Sequence, residues 1–363
     1  MTTTGMLITG ANGFFGCHLI KELQSRGIEK LTCIVRAEDR HRAHQRLQAA
    51  SQAHQLDLAI DTIEVIAADL SETDFGLGER EFRQLMAGID SVVHTGACVN
   101  FTATADQMLR TNVEATTTLL DLARSANVRR FVHISSLAVV NGLSWPTAKP
   151  VPEVPIEDEP NQAISHYGRS KLGAERCCFE AAAKGLDVTV LRLPYLLAST
   201  SRLAINYHGY LDVVLRAVLH LEASFDDEFS LHHLPVDRCA DWVATVTLAP
   251  SVPPVMHVVQ PLSLPWRAWL DAAKAMGQPM ALAPMEDWYK RLRQAAMVSH
   301  SSGLLEAIAF LRLEPTHKRW MHMNAHDLQF ENQQLSTLVP EAENHLTLPE
   351  TYLQGVIRQL CKN

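Results

Sequence analysis

An apolar run, Met6-Leu-Ile-Thr9, passes directly into Gly10-Ala-Asn-Gly13-Phe-Phe-Gly16, and the residues beyond keep apolar positions at helical spacing through Leu19, Ile20 and Leu23. The order this predicts is strand, glycine turn, helix. No other segment constrains the chain as much, because a strand that feeds a helix through a tight turn opens a parallel, doubly wound sheet. The glycines let backbone N–H groups approach a pyrophosphate closely, and the positive end of the helix dipole faces the anion. The spacing is GxxGxxG rather than GxGxxG, which belongs to another branch of dinucleotide binders. A turn that only joined strand to helix would use the same residue types; the strand before it and the helix after it favour the binding reading.

The second strand, Leu31-Thr-Cys-Ile-Val35, ends in Arg36, where an NAD-specific protein more often carries an acid for the ribose 2′-hydroxyl. A guanidinium there suits a 2′-phosphate, and Arg46 on the following helix can add a second charge. NADP is therefore favoured over NAD. Two alternatives stay open: Arg36 and Arg46 can be solvated members of a polar helix with Arg40 and Arg42, and Glu38 or Asp39 can serve a ribose.

Further strand ends follow the same logic. Ile63-Glu-Val-Ile-Ala67 leads into Asp69-Leu70, and Ser91-Val-Val-His94 into Thr95-Gly96-Ala97. A helix is predicted over 106–126, with Leu109, Val113, Leu119, Leu120 and Leu122 on its apolar side and Asn112 among them. The strand Phe131-Val-His-Ile134 delivers Ser135-Ser136, and a hydroxyl at Ser136 can hydrogen-bond an oxygen on which negative charge grows. Tyr167-Gly-Arg-Ser-Lys171 then places a phenol and an ammonium four residues apart, on one face of a helix. The Lys171 charge can favour the ionised phenol, and a phenol so tuned passes a proton to or from an alcohol or carbonyl oxygen.

With these residues in view the chain resembles an extended short-chain dehydrogenase/reductase and, within that superfamily, a thioester reductase domain. Such domains close nonribosomal peptide and polyketide assembly lines of secondary metabolism and form part of carboxylic acid reductases. The matching residues are Thr9 to Gly16, Val35-Arg36-Ala37 with Arg46-Leu47, Asp69-Leu70, His94-Thr-Gly-Ala-Cys-Val-Asn100, Asn112-Val113, Ser135-Ser136 and Tyr167 to Lys171. Leu191-Arg-Leu-Pro194-Tyr195, Pro235-Val-Asp237 and His257-Val-Val-Gln-Pro261 continue the match. Two departures stand out: Glu114-Ala115 occupies the place of a usual glycine before threonine, and Ser136 stands where many relatives use threonine. The resemblance implies a catalytic set of Ser136, Tyr167 and Lys171, with Lys171 on the nicotinamide ribose. It implies an NADP site lined by Thr9, Gly10, Asn12, Gly13, Phe14, Phe15, Gly16, Arg36, Arg46, Asp69, Leu70, Gly96, Ala97, Asn112, Tyr167, Lys171 and Pro194. The reaction implied is NADPH-dependent reduction of an acyl or peptidyl thioester to an aldehyde, or onward to the alcohol. The partner implied is a carrier protein with a phosphopantetheine-bound acyl group, and the chain carries no carrier segment or adenylation domain of its own. The alternatives are a fatty acyl-CoA reductase, an extended reductase or epimerase acting on a nucleotide sugar or ketone, and a non-catalytic NADP-binding regulator.

The expected fold is α/β: a Rossmann-type doubly wound parallel sheet over 1–204, with a smaller, mainly helical substrate and carrier-docking domain over 205–363. The Pro235-Val-Asp237 helix and the strand Met256-His-Val-Val259 are expected to return to the first domain, within 234–260. With 47% apolar and 20% charged residues and a net charge of −8, the chain has material for a large core and lacks the basic stripe that nucleic acid requires. No apolar run reaches the length of a membrane span and no basic n-region with an apolar h-region precedes the first strand, so a cytoplasmic location is expected. Seven scattered cysteines read as reduced thiols, with Cys177-Cys178 as packing residues. No metal is expected; His317, His322 and His326 have no carboxylate or thiol to complete a site. Residues 142–166, with prolines at 146, 150, 152, 155 and 160 and the acidic Glu157-Asp-Glu159, read as a loop beside the site, either a lid or a connection. Trp266, Trp269, Trp288, Tyr289 and Trp320 read as core and rim of the smaller domain. Lys290, Arg291 and Arg293 offer a basic docking patch for an acidic carrier, or a solvated helix face.

Overall fold

The computed structural model describes residues 5–99, 103–141, 143, 145, 149–158, 165–207, 209–226, 228–261, 263–312, 328–344 and 348–362. Asn100, Pro146, Glu159, Pro160, His317, Trp320, His322 and His326 lie outside the described residues. The first part alternates as the patterning predicts. In order come β1 (Gly5–Thr9), α1 (Phe14–Ser25), β2 (Leu31–Val35), α2 (Arg40–Ala53), β3 (Ile63–Ala67), α3 (Glu79–Gln84), β4 (Ile89–His94), α4 (Ala105–Met108), α5 (Ala115–Ser125), β5 (Arg130–Ser136), α6 (His166–Ala183) and β6 (Val188–Leu193). Of these strands, β1, β2 and β6 are buried at every position, as expected of parallel strands covered on both faces.

The remaining elements are β7 (Tyr195–Leu197), α7 (Tyr210–Leu221), β8 (Ala223–Phe225), β9 (Ser230–Leu231), β10 (His233–Pro235), α8 (Val236–Leu248), β11 (Val255–His257), β12 (Leu264–Pro265), α9 (Trp266–Ala275), β13 (Ala281–Ala283), α10 (Met285–Ser299), α11 (Ser302–Arg312), α12 (Gln333–Leu338) and α13 (Glu350–Leu360). Seven strands form one parallel sheet in the order β11-β6-β5-β4-β1-β2-β3, and β11 pairs with β6. The order reverses between β1 and β4, the switch point where doubly wound sheets leave a crevice for a ligand.

Strand alternation sorts the two faces. Met6 and Ile8 of β1, Val132 and Ile134 of β5 and Leu191 and Leu193 of β6 join α1 and α8 in one apolar core. On the other face Leu7, Val92, Phe131, Val188 and Val190 pack on α5 and α6. That second face ends in polar residues. Thr9, His94 and His133 stand in register across β1, β4 and β5, and Ser135, Arg192 and His257 across β5, β6 and β11, all of them buried.

The helix expected over 106–126 is interrupted. Leu109–Glu114 forms a wide π turn between α4 and α5, which leaves Leu109 exposed at 48% and turns Asn112 inward at 1%. Thr104 caps α4 through a reciprocal bond with Gln107, so the wide turn is not a frayed end.

A second core gathers Leu211, Val214 and Val218 of α7 with Trp266, Trp269, Trp288 and Tyr289. Trp266 stacks against both Phe225 and Phe229, with ring centroids 5.3 and 5.4 Å away, and the two phenylalanines stack on each other at 6.1 Å. The boundary expected at 204/205 does not separate these cores along the chain. Leu335, Val339 and Ala342 return to the α1/α8 core, whereas Tyr352, Val356 and Ile357 of α13 join the tryptophan core. The loop of prolines is equally tied down where it is described. Val151 bridges Phe330, Glu153 accepts hydrogen bonds from the backbone of His257 and Gln334, and the Val154 carbonyl accepts from Arg192. Residues 149–158 therefore act as an anchored connection, with Val151 and Ile156 in a small core under Leu172 and Val259.

Among the described residues no helix is long and apolar enough to cross a membrane, and no group of three or more His, Cys, Asp or Glu could hold a metal ion. All seven cysteines are free thiols.

Candidate active site

The turn after β1 opens a cleft of about 800 Å³ at the switch point. Gly10 has φ +66°, and a Cβ there would stand 2.7 Å from the Gly96 nitrogen and the Thr95 hydroxyl; a Cβ at Gly16 would stand 2.2 Å from the Gly10 carbonyl. Side chains at these two positions would push the turn apart. The N-terminus of α1 has no side-chain cap and no acid in its first turn. Its free N–H groups and dipole are thus offered to an anion in the cleft, a cradle that fits a dinucleotide pyrophosphate.

Twelve expected residues line the cleft: Gly10, Asn12, Gly13, Phe14, Phe15, Gly16, Arg36, Arg46, Asp69, Leu70, Gly96 and Ala97. Thr9, Asn112, Tyr167, Lys171 and Pro194 are not part of that wall. The wall also includes Ile34, Ala68, Ser71, Glu72, Thr95, Cys98, Val99, Ala103, Gln107, Arg110, Thr111, Leu196 and Asn206, which the sequence did not single out as binding residues. Thr95 already stands at a strand end in the sequence, and Cys98 and Val99 could have been read as its continuation. Arg110 carries no such signal, because it reaches the cleft through the π turn.

Arg36 and Arg46 are exposed cations on the cleft wall. Of the acids that could have served a ribose, Asp39 is committed elsewhere: its carboxylate caps α2 by accepting from the Arg42 N–H at 2.7 Å. Neither Glu38 nor Asp39 lines the cleft. Asp69 accepts from the backbone and hydroxyl of Ser71 at 2.9 and 2.7 Å, which fixes its carboxylate at the end of β3.

Thr9 and Asn112 act from behind the wall. The Gly96 N–H donates to the Thr9 hydroxyl at 3.0 Å, Thr9 meets His94 Nδ1 at 2.7 Å, and His94 Nε2 meets Thr116 at 2.9 Å. Thr116 donates to the Asn112 carbonyl, so the proton of His94 is on Nε2 and its Nδ1 accepts from Thr9. The Asn112 side chain accepts from the Cys98 N–H and donates to the Cys98 carbonyl and the Ser170 hydroxyl at 2.6, 3.1 and 2.8 Å. The cleft loop and the start of α6 are thereby held by one amide.

Ser165 caps α6 by accepting from the Gly168 N–H, and the helix then presents Tyr167 and Lys171. Tyr167 is half-buried and hydrogen-bonds Ser136, whose hydroxyl also accepts from the Ala138 N–H at 3.2 Å. Burial pushes the Tyr167 phenol up to about 12; the Ser136 bond opposes this, and Cys98 on the cleft wall adds to it. Lys171 does not lie as the helix spacing suggested. Its ammonium donates to the Ile134 carbonyl at 2.6 Å and meets His133 Nε2 at 3.2 Å, and it is absent from the groups that shift Tyr167. The expected lowering of the phenol by Lys171 is therefore not present in this structure, because desolvation dominates and the amine is turned toward β5. Burial lowers Lys171 itself to about 8, against the opposing pull of Cys178 and Glu175.

Chemically, the site offers a protonated phenol and a serine hydroxyl side by side at the end of β5, next to a dinucleotide-shaped cleft. The chain is similar to several known proteins. The chain is 32% identical over 325 residues to the isonitrile lipopeptide synthase of Streptomyces coeruleorubidus, covering 85% of this chain and 20% of that protein. It is 30% identical over 296 residues to the carboxylic acid reductase of Mycobacterium tuberculosis, covering 70% of this chain and 24% of that one. It therefore spans about a fifth to a quarter of these relatives. The terminal R domain of the myxalamid PKS-NRPS pathway superposes with a TM-score of 0.88 at 23% identity, over 99% of this chain and 91% of that one, and so shares the fold. The profile of the NAD-binding family described as male sterility protein matches residues 8–243, and the chain belongs to that family of extended short-chain dehydrogenase/reductases.

Proposed function

We propose that this chain is an NADP-dependent reductase that releases an acyl or peptidyl group from a thioester as an aldehyde. The observation that carries this reading is the hydrogen-bonded pair of Ser136 and Tyr167 beside the cleft, with the phenol held protonated by burial. A carbonyl oxygen placed between the two hydroxyls gains negative charge during reduction, and both can stabilise it. Bound in the cleft, the reduced nicotinamide supplies the hydride. Tyr167 gives its proton to the new oxyanion; on collapse of the hemithioacetal the hydroxyl proton returns to the phenolate as the C–S bond breaks, the departing thiolate takes a proton from water, and the products are an aldehyde and a free thiol. The similarity to a lipopeptide synthase and a carboxylic acid reductase supports a thioester substrate over a nucleotide sugar. Incubation with NADPH and an acyl thioester should give aldehyde, trapped as a hydrazone, in step with NADPH loss. Turnover of sugar nucleotides but not thioesters would overturn the reading.

NADP specificity rests on Arg36 and Arg46 in the cleft wall, with Asp39 withdrawn as a helix cap. Arg36→Ala should weaken NADPH binding by about 10- to 100-fold, the worth of a hydrogen-bonded charge pair, and leave NADH nearly unchanged. Titration of protein fluorescence with each cofactor measures both, and equal weakening would place Arg36 outside the phosphate site.

The acyl group arrives on a carrier protein, in keeping with the terminal position that the myxalamid R domain is described as holding. The docking patch is the exposed face of α10, where Lys290, Arg291 and Arg293 lie after the buried Trp288. Lys290 is held by Asp287 at 3.1 Å, a surface pair of small energy, so its charge remains available. A carrier-bound acyl group should show a higher kcat/KM than the same acyl group on N-acetylcysteamine, with the advantage shrinking as salt rises. Equal efficiency at low salt would remove the carrier from the proposal.

A further inference from the structure

Lys171 is 2% exposed, and an ammonium has three protons to place. One goes to the Ile134 carbonyl at 2.6 Å, and the second partner is His133 Nε2 at 3.2 Å. Since a protonated amine only donates, Nε2 offers its lone pair and the imidazole proton sits on Nδ1. His133 Nδ1 is buried without a hydrogen-bond partner among the described residues. A buried, unpaired N–H is costly, and apolar packing alone would be better served by a side chain that lacks it. What the imidazole provides at this position is the acceptor for Lys171. His94, whose ring lies 5.4 Å from that of His133, has both nitrogens taken by threonines and cannot replace it.

We propose that His133 is a positioning residue for Lys171, its Nε2 seating the buried ammonium at the end of β5 so that the amine is held charged where the cofactor meets α6. This rests on the reading of Lys171 as a cofactor-binding group. The groups facing Lys171 are His133 on β5, His94 behind it on β4, and Glu175 and Cys178 on its own helix, where Glu175 is in turn paired with Arg192 of β6. Tyr167, one turn earlier on α6, is held by Ser136 and feels Cys98 of the cleft wall. Both histidines are kept neutral by burial, so neither repels the ammonium as a cation.

The sign follows from the position of Lys171. Burial places it near 8, so the amine is charged below that pH and loses its proton above it. Removing an acceptor of the charged form lowers it further. The affinity of the full chain for NADPH, titrated by fluorescence from pH 6.5 to 10, should fall as pH rises through about 8. In His133→Leu and His133→Asn, whose side chains offer nothing at the Nε2 position, the fall should begin about one pH unit or more lower. In His133→Gln, whose amide oxygen reaches that position, it should return close to the parent. The Gln and Asn pair keeps the comparison decisive even where the leucine variant folds poorly. An unchanged midpoint in both His133→Leu and His133→Asn, with a flat profile in Lys171→Ala, would overturn the proposal while leaving Lys171 in the site. A fall that persists in Lys171→Ala would show that Lys171 is not the titrating group, and the reading of that residue fails with it.

Discussion

Tyr167→Phe should lower kcat by about 100- to 10,000-fold, the usual worth of a positioned acid or base, while NADPH binding and the melting temperature stay close to the parent. The reason lies in the protonation state. With the phenol raised to about 12, Tyr167 is an acid at neutral pH, and it shares a hydrogen bond with Ser136. Phenylalanine keeps the ring and loses the hydroxyl, and with it the Ser136 bond, the proton and the oxyanion contact. Reduction would then depend on Ser136 and on water for the proton, and both hydride transfer and collapse of the hemithioacetal would slow. Single-turnover measurement with saturating NADPH separates this from a binding defect. A variant that turns over within about threefold of the parent would remove Tyr167 from the chemistry.

Glu175→Gln should destabilise the fold by about 3–5 kcal/mol, measured as a lowered urea midpoint, although Glu175 touches no part of the cleft wall. Both carboxylate oxygens bind the Arg192 guanidinium, at 2.8 to 3.2 Å, and both side chains are fully buried. The same carboxylate accepts the Ser135 hydroxyl at 2.5 Å, while Arg192 reaches His257 Nε2 and the Val154 carbonyl. The amide leaves a buried guanidinium without its paired carboxylate, and the charge of Glu153, which also reaches Arg192, makes no ion pair with it among the described residues. Because a buried ion pair can be replaced by apolar side chains at little cost, Glu175→Met combined with Arg192→Met should recover much of the loss. A midpoint for Glu175→Gln within about 1 kcal/mol of the parent would show that the pair is solvated or dispensable.

The parts of this molecule that the sequence disclosed are those whose signals are local. Gly10, Gly13 and Gly16 sit between a buried strand and an amphipathic helix, and eleven of the cleft-lining residues follow from that turn and from successive strand ends, with Arg46 added from α2. Ser136 and Tyr167 meet because β5 and α6 are neighbours, as the alternation of strands and helices implied. What stayed hidden depends on contacts between distant positions. Helical spacing put Lys171 beside Tyr167, yet its acceptors come from β5, and no spacing rule announces a carbonyl or an imidazole on another strand. The π turn at Leu109–Glu114 is set by Asn112 reaching back to Cys98 and across to Ser170, so a regular helix was the better reading from periodicity alone. The loop of prolines read as a lid or a connection, and its anchors, His257, Arg192 and Gln334, lie 38 or more residues away.

The path of the backbone between the two cores bears on which pieces of this fold can be exchanged. Among the described residues the chain leaves the sheet body at Leu197, returns by Leu234, leaves again by Trp266, returns by Leu335 and leaves a last time for Tyr352. Neither half is one continuous stretch of gene, so recombination inside the chain would divide a core whichever junction it used. The unit that can be transplanted is the whole two-core body. Exchange between relatives is then expected to move the whole body, and not to graft one half onto another.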